Sequence, residues 1–92
     1  MILAEKRFEI SGPTVITRSD LPTLGSCSHV FFVSETMDCD ISIVAMPGAV
    51  LTKVGSLPTS LGGFGVVMDI PNADSITIDG TGFITIKTIK RD

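Results

Sequence analysis

Apolar and polar residues alternate along most of the chain with a period of two, the pattern typical of β-strands. In residues 1–10 the even positions are apolar except for Lys6, so one face of a first strand should point into a core. Gly12-Pro13 should end this strand, because proline fixes φ and cannot donate a hydrogen bond to a ladder. A short second strand is then predicted over residues 14–18.

Further strands are predicted over residues 29–35, 41–46, 49–54 and 66–70, with loops at 19–29 and 55–65. The V-F-F-V run at residues 30–33 is apolar on both faces, which indicates a strand covered on both sides, by another layer or by a partner. Pro47-Gly48 predicts a type II turn, in which glycine supplies the positive φ.

The C-terminal segment has the pattern of a β-hairpin. Residues 75–79 and 83–90 are its predicted strands, and Gly80-Thr81-Gly82 is its loop. The apolar phase slips between Ile86 and Ile89, which predicts a β-bulge there.

The predicted fold class is therefore all-β. No window has the i, i+3, i+4, i+7 spacing of an amphipathic helix. Ile, Val and Thr, which favour strands, supply 29 of the 92 residues. Residues 1–92 are predicted to form a single β domain, a small sandwich or barrel of about seven or eight short, mainly antiparallel strands.

The composition is unusually poor in charge. Hydrophobic residues make up 43% and charged residues 18%, against about 25% charged residues in an ordinary soluble domain. This predicts that part of the surface is covered by another subunit. No apolar run approaches the ~20 residues of a membrane span, and the first ten residues do not resemble a signal peptide. Synthesis in the cytosol with two free thiols is expected.

The net charge of −3 is unevenly distributed. Residues 19–86 hold seven acids and one base, a balance of 1 − 7 = −6. If the first and last strands pair, a basic edge should lie beside an acidic body, which suits contact with a charged neighbour; scattered, solvated charges are the alternative. The acidic body argues against a broad nucleic-acid surface. The six bases outside this segment are Lys6, Arg7, Arg18, Lys87, Lys90 and Arg91.

The cysteines and the single histidine are the first candidates for chemistry. Cys27, His29 and Cys39 lack a fourth ligand and the C-x₂-C spacing of a zinc site. Cys27 and His29 would share a strand face, but no oxyanion hole or third orienting residue is evident for nucleophilic catalysis. A Cys27–Cys39 disulfide requires that their strands pair, and a cytosolic location disfavours it.

Two loops are further candidates. The acidic turn with Asp38 and Asp40 could hold calcium but lacks a known calcium-loop spacing, so a solvated turn is the alternative. Gly62-Gly63-Phe64-Gly65 resembles a phosphate loop, but a strand follows it where a phosphate cradle needs a helix. The absence of Trp and Tyr argues against carbohydrate or single-strand nucleic-acid binding. No catalytic residue, metal or cofactor is predicted.

In overall character the chain resembles small all-β bacteriophage virion proteins, which are helix-free, rich in Ile, Val and Thr, and without catalytic residues. Capsid decoration (cement) proteins, which often trimerise on the shell, and tail or fibre domains are the nearest. Residues 75–83, S-I-T-I-D-G-T-G-F, are also similar to a rung of the parallel β-helix of phage tailspikes and pectin-lyase-like enzymes. A β-helix should however show a repeat of about 20–25 residues, and none is visible.

The resemblance implies a non-enzymatic structural protein of a virion, assembled in the host cytoplasm. It would form a homo-oligomer, a trimer by analogy, and bind a major capsid or tail protein, with no nucleic acid or membrane partner. Edge strands such as residues 1–10 and loops such as residues 55–65 would make the contacts. The residues predicted to contact partners are Lys6, Arg7, Phe8, Leu61, Phe64, Lys87, Lys90 and Arg91.

Two other functions stay open at this stage. The chain could be a small β-barrel module that binds a ligand or metal at the barrel mouth or at the acidic turn of Asp38–Asp40. An enzyme acting through Cys27 is the third hypothesis.

Overall fold

The computed structural model describes residues 1–35, 37–57 and 65–91. It confirms the all-β fold class, and in these ranges it has six antiparallel strands in a nearly closed, barrel-like sheet, where seven or eight were predicted for the chain. Within these ranges no helix is long and apolar enough to cross a membrane. The strands are β1 (Ile2–Thr17), β2 (His29–Ser34), β3 (Cys39–Val44), β4 (Thr52–Leu57), β5 (Val66–Met68) and β6 (Ser75–Ile89).

Strand β6 is the spine of the sheet. One of its edges pairs with β1 over almost its whole length, from Ser75 opposite Thr17 to Ile89 opposite Ile2. The other edge is shared, because β3 pairs with residues 75–79 and β2 pairs with residues 84–89. Strand β4 pairs with β3, and β5 pairs with β2. We call β3 with β4, and the part of the sheet beside them, the β3 arm; β2 with β5 and the part beside them form the β2 arm. The first and last strands are therefore paired with each other. Because every pairing is antiparallel, residues 75–83 are not a rung of a parallel β-helix.

The prediction that Gly12-Pro13 ends the first strand is wrong, since β1 continues through both residues. Gly12 has φ +71° and lies opposite Gly80, and Pro13 lies opposite Asp79. Among the described residues β1 pairs with β6 alone. A proline is tolerated on such an edge strand, because its missing N–H can face away from the ladder.

The predicted C-terminal hairpin is also wrong. Residues 80–82 lie inside the continuous strand β6, and its two halves pair with different partners instead of with each other. Gly80 lies against Met37 and Cys39, at a point where a side chain would have no room. The glycines therefore mark the place where β6 passes from the β3 arm to the β2 arm.

The bulge predicted between Ile86 and Ile89 is wrong as well, because the inward alternation of β6 continues through Thr88. Thr88 is fully buried and its hydroxyl lies 2.6 Å from the hydroxyl of Thr23. A polar residue thus holds an inward position that the apolar pattern could not reveal. The register shift lies on the partner strand, beside Leu3.

The core is filled by inward residues of both arms and by the segment after β1. This segment was predicted as a loop, but Pro22–Gly25 form a short 3-10 helix. Leu21 and Leu24 are 2% and 0% exposed and pack into the core. The inward residues of β6, Ile76, Ile78, Ile84 and Ile86, are all fully buried.

The accessible surface of the chain is 5048 Å². A compact monomer of 9.7 kDa is expected to expose about 5,100 Å². The accessible surface of the chain is therefore that of an ordinary compact fold of this mass.

Candidate contact surfaces

Arg7 and Lys87, two of the predicted contact residues, lie on the outer face of the β2 arm. The guanidinium of Arg7 lies 4.0 Å from the ring centroid of Phe83. It also donates two hydrogen bonds to the Glu35 carboxylate, Nε to Oε1 at 3.0 Å and Nη2 to Oε2 at 2.9 Å. The hydroxyl of Thr85 donates to the same carboxylate at 3.1 Å.

Lys87 is placed in a similar way. Its Nζ lies 3.6 Å from Glu5 Oε1 and 5.5 Å from the ring centroid of Phe31. We call the outer surface formed by Glu5, Arg7, Phe31, Phe83 and Lys87 the aromatic face. Its two predicted basic residues cover aromatic rings and pair with acids of the same chain, so they have partners before any other molecule arrives.

The ion pair on the aromatic face predicts how stability depends on pH. Hydrogen bonds from Arg7 hold the pKa of Glu35 below its ordinary value of 4.5. A carboxyl whose pKa is lowered by folding contributes stability above its unfolded pKa and loses it as the pH falls through the folded value. The melting temperature should therefore fall on acidification below about pH 4.5.

The variant Arg7→Gln should melt with a shallower dependence on pH in that range, since it removes the main cause of the lowered pKa. Circular dichroism melts at half-unit steps from pH 2.5 to 7 would measure this. Parallel curves for the two proteins would contradict the assignment to Arg7 and Glu35.

Lys6 and Phe8 are attached to the side of β1 that faces the core. Phe8 lies opposite the buried Ile84 and is half-buried against the core. Lys6 lies opposite Ile86, but its side chain is exposed and its Nζ donates to the Asp20 carbonyl oxygen at 3.2 Å. The pairing of the terminal strands therefore does not gather their bases on one basic edge.

Lys90 and Arg91 lie at the end of β6, beside an open depression of about 380 Å³. The chain is tied together here, because the Met1 amino group donates to the Lys90 carbonyl at 3.0 Å and Arg91 N–H donates to the Ser28 hydroxyl at 2.8 Å. Leu61 and Phe64 lie outside the described residues, as does all of the glycine-rich candidate loop except Gly65.

The acidic turn forms a second open depression, of about 460 Å³, together with Asp79 of β6. Asp40 is held by the Ser56 hydroxyl, which donates to its Oδ1 at 2.7 Å, and by Lys53 at 3.3 Å. These contacts hold the pKa of Asp40 below its ordinary value. Within the described ranges no group of three or more His, Cys, Asp and Glu side chains could hold a metal ion.

The cysteines are separate, buried and free of a disulfide. The Cys27 thiol has the carbonyls of Leu24 and Ile70 as its possible acceptors, at 3.5 and 3.6 Å from Sγ, whereas His29 Nδ1 lies 3.0 Å from the Ser28 hydroxyl. Burial raises the pKa of Cys27 and also that of Cys39. The histidine is thus not hydrogen-bonded to the thiol that it would have to activate.

These thiols should react slowly in the folded protein. At pH 8 a chromogenic disulfide reagent should modify both more than about tenfold faster in 8 M urea than in buffer, because burial and a raised pKa both limit the reactive thiolate. Fast labelling of one cysteine in buffer would instead indicate an activated thiol and revive the enzyme hypothesis.

The hairpin between β3 and β4 is the surface that the sequence prediction missed. The predicted strands, residues 41–46 and 49–54, are instead β3 and β4, which leaves residues 45–51 (A-M-P-G-A-V-L) outside the sheet. We call these residues the hairpin tip. The predicted turn is confirmed, because Ala49 N–H donates to the Met46 carbonyl at 2.9 Å and Gly48 has φ +83°.

The tip carries no charge and exposes its large side chains. Met46, Val50 and Leu51 are 63%, 83% and 53% exposed. Single exposed apolar residues are ordinary, but a run of them on one turn makes this segment a candidate contact surface. A charge-free run of seven residues around Pro-Gly was the available sequence signal, but it was assigned to the ends of two strands.

No family model matches the chain, and comparison with curated proteins and with solved structures finds no match.

Proposed function

We propose that this protein is a non-enzymatic structural protein of a virion, which oligomerises on the shell as a capsid decoration protein and stabilises it by surface contact. The observation that carries the proposal is the hairpin tip, an exposed and uncharged segment on a chain whose accessible surface is that of a compact fold. The proposed localisation is the virion, after assembly in the host cytoplasm. A tail or fibre protein would use the same surface, and the position of the protein on the particle distinguishes the two.

The residues that suggested other chemistry have structural contacts within the chain, which favours a contact function. The Cys27 thiol is buried within hydrogen-bonding distance of two backbone carbonyls. The Asp40 carboxylate is bound by Ser56 and Lys53. Arg7 and Lys87 cover aromatic rings of their own sheet.

In this proposal the protein contacts its neighbours through side chains, and not by adding an edge strand to a neighbouring sheet. The free edge of β1 has three features that protect edge strands from pairing with other chains. These are the bulge beside Leu3, a charged residue (Lys6) on the core-facing side of the strand, and the proline at position 13. Addition of β1 to a neighbour's sheet is therefore disfavoured, and the hairpin tip takes its place in the proposal.

The test is made on particles produced by the genome that encodes this chain. Mass spectrometry of purified particles should detect the protein in many copies, and electron microscopy should locate it on the shell. Particles stripped of it should lose their contents at a lower temperature and recover on addition of the purified protein. Particles that lack the protein, or whose heat resistance does not change on its removal, would refute the proposal.

A further inference from the structure

On the outer face of the β3 arm, the two outward rows nearest the hairpin tip carry no charge on β1, β6 and β3. The next outward row holds the paired Asp40 and Asp79. In an antiparallel ladder, directly paired residues point to the same side of the sheet. Ile16, Ile76 and Ile43 form one paired row toward the core, so the rows on either side of it face outward. The accessible outward residues, which we call the uncharged face, are Val15, Thr17, Ser42, Val44 and Thr77. Ser75 shares the row of Thr17 and Val44 but is only 7% exposed.

Charged residues lie around this face and not within it. Lys53 is opposite Ser42, Asp74 N–H donates to the Val44 carbonyl, and the Thr17 hydroxyl donates to Asp20 at 3.2 Å. An uncharged centre within a polar rim is the usual anatomy of a protein–protein interface.

We propose that the hairpin tip and the uncharged face form the self-contact of a cyclic homo-oligomer, with the occupant a second copy of this chain. This inference names the partner of the hairpin tip. Its placement in a virion rests on the proposed function. Charge is the reason for this choice. Residues near a rotation axis meet their own copies, so any charge there faces a like charge. The tip and the five residues of the face carry no charge, whereas the aromatic face and the two depressions do.

The size of the surface points to a moderate affinity. The seven residues of the tip, the five of the uncharged face and the three rim residues named above give 7 + 5 + 3 = 15, against roughly 20–30 per partner in a stable interface. The tip alone is too small. We therefore expect association that depends on concentration and a monomer that stays folded on dilution.

A lipid surface fits the tip poorly. Elements that bind the membrane interface usually combine apolar side chains with Trp, Lys or Arg, which anchor to the headgroups. The tip has none of these residues, and the chain has no Trp, no Tyr and a net charge of −3.

The test is sedimentation velocity over a wide concentration range, with Val50→Glu as the main variant. Val50 is 83% exposed, so a glutamate there leaves folding intact but places like charges together at the contact. The dissociation constant should rise about tenfold or more. Val67→Glu is the matched control, because Val67 is a 54% exposed valine on the other arm, and its dissociation constant should be that of the unmodified chain.

A charge-swap mixture identifies the partner directly. Val50→Glu and Val50→Lys should each dissociate, and an equimolar mixture should associate again, because unlike charges then meet at the contact. An unmodified chain that stays a 9.7 kDa monomer at millimolar concentration would overturn the inference, as would equal effects of Val50→Glu and Val67→Glu.

Two further outcomes separate this inference from the proposed function. Co-sedimentation of the unmodified chain, but not Val50→Glu, with phosphatidylcholine–phosphatidylserine vesicles would assign the tip to lipid and overturn the self-contact. A monomeric chain that binds particles would refute the inference and leave the virion function in place, whereas an oligomer absent from particles would do the reverse.

Discussion

Replacing Phe32 by alanine is expected to lower the free energy of unfolding by about 3–5 kcal/mol. Phe32 is 1% exposed and is among the largest fully buried side chains of the core. It lies opposite Ile86 of β6 and Val66 of β5, so a cavity at this position weakens the packing of three strands. A domain of 92 residues has a total stability of only about 5–14 kcal/mol. The variant should therefore lose about a fifth or more of its total stability.

The neighbouring phenylalanine is the control. Phe31 is on the aromatic face, half-buried beneath Lys87. Phe31→Ala removes the same atoms from the surface side of the sheet and should cost about 1–2 kcal/mol. Urea denaturation followed by circular dichroism would measure both variants. Equal losses would contradict the assignment of Phe32 to the core side and Phe31 to the outer side.

The second large effect is expected at Gly80, where β6 passes from one arm to the other. A Cβ at this position would lie 3.0 Å from the Asp38 carbonyl oxygen and 3.0 Å from Cys39 Cβ. Neither atom can move aside by rotating a side chain. Gly80→Ala should therefore cost about 1–3 kcal/mol of stability by overpacking.

The paired Gly12 should respond to substitution for a different reason. It has free space within 4 Å around a new Cβ, but its φ of +71° disfavours any L side chain. Gly12→Ala should cost about 1–2 kcal/mol, and Gly12→Asn less, because asparagine tolerates a left-handed backbone. At Gly80 the order should be reversed, since the larger asparagine clashes more. The same order at both positions would refute this distinction.

Local alternation of apolar and polar residues was sufficient to predict the fold class and most strand positions. It failed where a distant partner decides the local structure. Gly12-Pro13 has the local pattern of a break, yet β1 continues because β6 pairs with it on both sides of the glycine. Residues 80–82 have the pattern of a hairpin loop, but β2 and β3 occupy the other edge of β6 and keep its halves apart.

The contact surfaces were harder to predict than the fold. Basic residues were taken as contacts because they cluster at the termini, but Arg7 and Lys87 find acids and aromatic rings within the chain. Met46 and Val50 were assigned to strands because they are apolar. Only the register of β3 against β4 shows that the segment between these strands projects beyond the sheet.

Methionine oxidation tests most directly whether the hairpin tip is the contact surface. Met46 and Met1 are 63% and 67% exposed in the single chain, so they should react with dilute hydrogen peroxide at similar rates in the monomer. Mass spectrometry of peptides from dilute and concentrated samples would give both rates. We predict that at high concentration Met46 becomes protected while Met1 does not. Unchanged oxidation of Met46 in a sample that sediments as an oligomer would contradict the proposed contact.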